Sequence, residues 1–309
     1  MSYCLRRNEG VEENIKRIAL EQIEHAIAEI RDTRNDLHDT VHRVRKRCKK
    51  IRALVRLIRP EFGKFYHLEN AWYRDAAREL SHARDAQVLV LTHDKLMRHY
   101  HDAGYDFSPV RDQLVRCRRG VSDNPRRMAK CFEVVLQRMK SGRKRVPLWS
   151  LDMNSQMAIS KGLKKTYKRG QKAMSKALAA PADENLHDWR KQVKYHWYHS
   201  QILRPIAQGE LQKRCEQTNL LSDLLGDEHD LGVLRRALAG SSEGHDARLK
   251  LRSYFDLIDR RRMELRTQAD TVGRRIYAEK AKDLSNRIRA RFPVWESRHE
   301  SRVDSRRAG

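Results

Sequence analysis

Two stretches of this sequence carry the same donors at the same spacing. His42, Arg45, Lys46 and Lys49 read H-x-x-R-K-x-x-K, and so do His187, Arg190, Lys191 and Lys194. These side chains are suited to holding anions. A guanidinium presents a planar fork to two oxygens at once, an ammonium adds a point charge, and an imidazole donates with a charge set by its surroundings. The first copy opens a segment (38–60) in which nine Lys or Arg follow His42 without one acid.

On a helix of about 100° per residue, His42, Arg45, Lys49, Arg52, Arg56 and Arg59 fall within an arc of about 100°. Val44, Cys48, Ile51, Val55 and Ile58 occupy the adjoining arc and are expected to face the core. The basic stripe therefore borders the core face, a position that tends to line a groove between helices. It would run roughly 25 Å at ~1.5 Å per residue. Arg43, Arg47 and Lys50 lie off the stripe and read as solvated charge. The segment 160–176 repeats the theme, with Lys161, Lys165, Lys168, Lys172 and Lys176 at steps of three and four and again no acid. Like charges at that spacing cost a few tenths of a kcal/mol per pair, so the missing acids point to an external anion that offsets the repulsion.

The elements that position these groups read as all-α. Apolar residues recur at three and four, and alternation suited to strands is scarce. The spacing predicts helices over roughly 11–33, 35–59, 65–81, 84–102, 108–119, 126–141, 153–179, 184–203, 209–225, 228–239, 244–267 and 270–291. The seven prolines fall where these helices end or begin. A shift of 145 residues aligns the two halves without a gap over about fifty positions. His42 falls on His187, Arg45 on Arg190, Lys46 on Lys191, Lys49 on Lys194, Arg59-Pro60 on Arg204-Pro205, Leu80 on Leu225, Asp85 on Asp230 and Leu89 on Leu234. Each half then holds a long basic helix, a stop at proline, a second helix, and an Asp capping a third. The expected architecture is two antiparallel four-helix-type bundles, 1–150 and 151–295, about a pseudo-twofold axis, with 296–309 as a disordered tail. The copies have diverged: Trp197 and Gln201 stand where Arg52 and Arg56 stood.

A net charge of +25 over 309 residues points to polyanionic partners, while 39% apolar residues with regular spacing exclude a disordered basic tail. Five cysteines (Cys4, Cys48, Cys117, Cys131, Cys215) without a CxxC pair argue against a disulfide framework or zinc knuckle. The opening residues lack an apolar signal core, and no run approaches the ~20 apolar residues of a membrane span. A soluble cytoplasmic protein is expected.

The chain resembles the CHAD family, the conserved-histidine α-helical domain. The likeness rests on "VHRVRKRCKKIR" (41–52), "GLKKTYKRG" (162–170) followed by "NLHDWRKQVKYHWY" (185–198), "LLGDEHDLGVL" (224–234) and the opening helix "EGVEENIKRIALEQIEHA" (9–26). It implies two four-helix bundles with a basic groove that binds inorganic polyphosphate. The positions it matches are His42, Arg45, Lys49, Arg52, His187, Arg190, Lys191 and Lys194, with Lys165 and Arg169 between them. Lys46, Arg56 and Lys172 join the candidate set from their places in the repeat, the stripe and the 160–176 face. Such domains are often fused to a triphosphate-tunnel hydrolase, but the sequence holds no ExExK motif.

The expected function is non-enzymatic polyphosphate binding, extending to polyphosphate granules, with no cofactor, no metal and no obligate protein partner. RNA binding is the alternative, weakened by an aromatic content of 7%. A phosphoryl-transfer enzyme would need metal-holding carboxylates and a positioned nucleophile, and the basic stripes supply neither. Binding is expected to tighten below about pH 7, where histidine titrates. His38 and His42 have zinc spacing, but neighbouring arginines would repel a cation. Trp189, Tyr195, Trp197 and Tyr198 read as core and groove wall, "DEHD" (227–230) as helix-start charge, and Gly162 and Gly170 as no phosphate loop.

Overall fold

The computed structural model describes residues 3–63, 65–101, 106–122, 125–151, 155–239 and 245–295. The 296–309 tail lies outside them, as does the side chain of Asp85. The described residues form an all-helical protein without strands. The helices are α1 (Val11–Arg31), α2 (Leu37–Leu57), α3 (Phe65–Glu79), α4 (His82–His99), α5 (Ser108–Ser122), α6 (Pro125–Arg145), α7 (Ser155–Ala179), α8 (Asp183–Leu203), α9 (Gln208–Leu238), α10 (His245–Ile276) and α11 (Ala281–Ala290).

Helix α2 sits centrally, packing against α1, α3, α4, α7 and α8. Helix α9 lies between α8 and α10 and also meets α4, while α7 packs on α8 and α11. The core is built on large buried side chains, among them Trp189, Tyr73, Tyr167, Tyr254, Phe62 and Phe292. Helix α2 ends just before Pro60, and α8 ends in a 3₁₀ turn at Arg204–Ile206, so both proline stops act as expected. None of the five cysteines forms a disulfide. No helix among the described residues is long and apolar enough to cross a membrane.

Two boundaries differ from the sequence reading. The break expected at 226–227 does not exist, because α9 runs unbroken through Gly226. "DEHD" is therefore helix interior, and Asp230 is not a cap. Glu228 is 1% exposed and accepts from Arg262 and Arg266 of α10 at 3.0 and 2.7 Å, an ion cluster that fastens the two helices. In the first half the chain does break: the Ser81 hydroxyl donates to the Arg78 carbonyl, at the end of α3. Gly226 stands at the position equivalent to Ser81, and there the helix continues. The second difference is that α10 extends to Ile276. The turn that follows is held by the Tyr167 hydroxyl, 3.0 Å from both the Ile276 and Glu279 carbonyls.

Candidate functional site

Helix α2 starts where the Asp36 carboxylate accepts from the His38 and Asp39 backbone N–H groups. Val44, Cys48, Ile51, Val55 and Ile58 are completely buried, as the wheel requires. His42 is exposed, and Arg45, Lys49, Arg52, Arg56 and Arg59 are half-buried along the border of that core. In its C-terminal half α2 meets α8. There His199 Nε2 lies 2.9 Å from the Ala53 carbonyl and Arg52 donates to the Tyr195 hydroxyl at 3.2 Å. Cationic groups collect on both sides of this contact.

On the N-terminal side lies a cavity of about 470 Å³. His42, Lys46 and Lys49 line it from α2, Arg190 and Lys194 from α8, and Lys95 from α4. Residues of both repeated motifs thus share one depression. Arg190 lies across Gly226, where an added Cβ would stand 3.2 Å from its Nη2, and its Nε is buried without a hydrogen-bond partner. The Lys194 ammonium sits 4.5 Å above the Trp197 ring. The far wall is α9, which contributes Ser222, Asp223, Asp227 and Asp230. Asp227 pairs with Lys95 at 2.5 Å, and Asp223 lies 4.0 Å from Lys194.

On the C-terminal side, Arg56 and Arg59 of α2 meet Lys165 and Arg169 of α7. The Arg56 guanidinium lies 4.1 Å from the Tyr195 ring centroid, and that of Arg59 lies 4.4 Å from the Tyr66 centroid. Arg59, burial, Arg169 and Arg56 together push the Lys165 pKa down. Burial, then Arg56 and Arg59, pushes that of Arg169 down. No carboxylate is among the causes that shift either group. Four cations held together with no anion among them define a strongly positive spot.

Gly162 makes this meeting possible. A Cβ there would stand 1.7 Å from the Leu57 carbonyl oxygen, so α7 touches the α2 backbone directly. Gly162→Ala gains about 1 kcal/mol of helix propensity, but the collision is with backbone and cannot be relieved by a rotamer change. The net expected result is a loss of about 1–3 kcal/mol, as for overpacking in general. Urea denaturation checks this, with Gly209→Ala, which meets nothing within 4 Å, expected to keep its midpoint or raise it slightly.

The remaining candidates are placed differently. Arg45 donates to the Ala77 carbonyl at 2.6 Å, in the last turn of α3. Its partner in the repeat, Arg190, faces Ser222 at the position equivalent to Ala77. There α9 continues, and the Ser222 carbonyl belongs to the helix ladder. Two arginines that match in sequence thus do different work. Lys191 pairs with Asp188 on its own helix surface, and Lys172 is exposed on α7 beyond Arg169. His187 does not line the cavity. It stacks on His229 at 4.9 Å one turn before Arg190, and burial, then His229 and Arg190, pushes its pKa down. Lys161 is paired with Glu61 at 3.2 Å, so the 160–176 face is not free of acids in space.

Arg47 and Lys50 are not simply solvated. Arg47 reaches Glu29 of α1 at 2.7 Å. Lys50 lies 4.5 Å from the Tyr3 ring centroid, and burial, then Arg47 and Lys46, pushes its pKa down to about 8. Trp189 and the two tyrosines are buried, while Trp197 is half-buried in the cavity wall. Sequence reasoning missed Lys95, Tyr66 beneath Arg59, and the α9 acids as a cavity wall. The match of Asp85 with Asp230 was the available signal for that wall. No three His, Cys, Asp or Glu side chains among the described residues are grouped to hold a metal ion.

The family model for the CHAD domain matches residues 17–239. That span takes in both histidine–arginine motifs, the α7 cations and the α9 wall. No curated protein matches the chain. A match over most of the chain, covering the helices that build both cationic zones, means that this protein belongs to the CHAD family.

Proposed function

We propose that the protein binds inorganic polyphosphate, without turning it over, along the path from the α2–α8 cavity to the α2–α7 cluster. The observation that carries this reading is the cluster of Arg56, Arg59, Lys165 and Arg169, where burial and cationic neighbours together push the pKa of each α7 cation down. CHAD domains in general are linked to polyphosphate binding, which supports it. A linear phosphate chain has about one charge per unit and no bases, so it needs repeated donors along a line. The α2 stripe offers donors over roughly 25 Å. Arg56, Arg59 and Lys194 lie over the aromatic rings beside these donors and compete with bases for those faces, which disfavours RNA.

We infer further that the helices form two related halves. At an offset of 145, α1 and α2 fall on α7 and α8, α3 with α4 falls on α9, and α5 with α6 falls on α10 with α11. The halves contribute unequally, since the α7 cluster joins only α2. On this reading the protein would sit on polyphosphate wherever the polymer accumulates, including granules.

The test is titration with polyphosphates of graded length at two salt concentrations. Affinity is expected to rise with length and then plateau once the path is filled. If six cations are neutralised, log K is expected to fall with log salt at a slope of roughly −4, by analogy with single-stranded nucleic acids. Displacement of long-chain polyphosphate by RNA at equal phosphate concentration would overturn the proposal. Release of free phosphate on incubation with Mg²⁺ would overturn its non-enzymatic part.

A further inference from the structure

The cavity between α2 and α8 has an acidic wall that a groove for bare polyanion does not need. Asp223, Asp227 and Asp230 are spaced by four and three on α9 and all line it, facing His42, Lys46, Lys49 and Arg190. Asp223 is 60% exposed; one of its oxygens accepts from the Asn219 amide at 3.0 Å, and the lysine partner of the other stands at 4.0 Å. Asp227 is held by Lys95, whose own side chain is 59% exposed and can swing away. A second observation concerns Ser222. It lines the same cavity and is 1% exposed, yet its buried hydroxyl has no hydrogen-bond partner. A buried helical serine that makes no bond leaves a donor and an acceptor for whatever fills the space.

A phosphate chain drawn in by Arg190 and Lys49 is brought towards these carboxylates. Like charges then repel, unless a cation lies between them. A hard divalent ion of the Mg²⁺ class binds phosphate and carboxylate oxygens together while keeping several waters. The protein alone groups no three metal-ligating side chains among its described residues, so the ion would need phosphate oxygens to complete its shell.

We propose that this cavity takes polyphosphate as its divalent-cation complex. The basic wall holds phosphate oxygens, the carboxylates of Asp223 and Asp227 hold the ion that the polymer carries, and Ser222 bonds a phosphate oxygen or an ion-bound water. This rests on the polyphosphate reading above. It makes the sign of the Mg²⁺ effect diagnostic. In a purely basic groove Mg²⁺ competes with Lys and Arg for phosphate and weakens binding. In the cavity proposed here it strengthens binding.

The experiment is calorimetric titration of the full chain with one long-chain polyphosphate preparation, in EDTA and in Mg²⁺ at matched ionic strength. It uses wild type and Asp223→Asn/Asp227→Asn, with circular dichroism confirming that the variant is folded. Wild type is expected to bind roughly tenfold more tightly in Mg²⁺, about the weight of one charge-assisted contact. The variant is expected to bind in EDTA at least as tightly as wild type does, and to lose the Mg²⁺ gain. Mg²⁺ titrated without polymer is expected to give no heat of binding. A wild-type affinity that Mg²⁺ weakens or leaves unchanged overturns the proposal, as does a variant that keeps the full gain. Absence of polyphosphate binding in both media would instead sink the underlying function.

Discussion

Converting Arg56, Arg59, Lys165 and Arg169 together to Gln is expected to weaken polyphosphate binding by about a thousandfold. Each side chain supplies a charge-assisted contact of about 1 kcal/mol or more net, and 1.4 kcal/mol corresponds to a factor of ten. The variant's stability is expected to move little. These cations repel one another, and no carboxylate is among the causes that shift Lys165 or Arg169. Loss of the stacking of Arg56 and Arg59 on Tyr195 and Tyr66 works in the opposite direction. Arg45→Gln is the informative contrast. It frees the Ala77 carbonyl and is expected to lower the melting temperature while leaving affinity within a few-fold. Lys191→Gln, which breaks only a surface pair with Asp188, is expected to change neither. Near-normal retention of long-chain polyphosphate by the quadruple variant would remove the observation on which the proposed function stands.

The fold is expected to lose about 4 kcal/mol of stability between pH 7.5 and pH 5.0, because of two histidines sealed in the core. His196 and His199 are both fully buried. Burial, then Arg214 and His199, pushes the His196 pKa well below its ordinary value. Burial is also the main cause for His199, whose pKa falls to about 3. Neither ring nitrogen of His196 has a hydrogen-bond partner, and the ring lies against Tyr167 and Tyr277. The unfolded chain takes up these protons near the ordinary pKa of about 6.5, while the native state does not. Where the unfolded state binds more protons, stability rises with pH. It is therefore fully present above about pH 6.5 and falls as pH drops through that value. At pH 5, each group still neutral in the native state costs about 2 kcal/mol by this linkage, a large share of the ~5–15 kcal/mol of an ordinary domain. His93, His187 and His229 are shifted in the same direction and add to the slope. Urea midpoints at the two pH values measure the effect, and His196→Phe is expected to remove about half of it. Equal stability at both values would show that these histidines are not held neutral. Any tightening of polyphosphate binding at low pH must be measured above the pH at which this unfolding begins.

Much of α2 was legible in the sequence, because a helix of fixed pitch turns spacing into direction. The five apolar residues expected in the core are completely buried, the basic stripe lies beside them, and both proline stops fall in place. The all-α class followed from the same local regularities, repeated along the chain, and the family from the likeness of its motifs. Neighbours across helices were not legible, since nothing in the spacing of α2 states what α1, α7 or α9 brings against it. Arg47 looked solvated until α1 supplied Glu29, and Lys161 looked unopposed until the turn after α2 supplied Glu61. Arg45 and Arg190 read as equivalents. They diverge because α3 ends beside one while α9, with Gly226 in place of Ser81, continues past the other. Sequence alone thus determined which residues are cations and which face of each helix carries them. Only the tertiary structure decided which cations converge, which are neutralised, and that an acidic wall stands opposite one of the two zones. Helical periodicity acts within about one turn, whereas electrostatic partnership depends on side chains that packing brings together from distant parts of the chain.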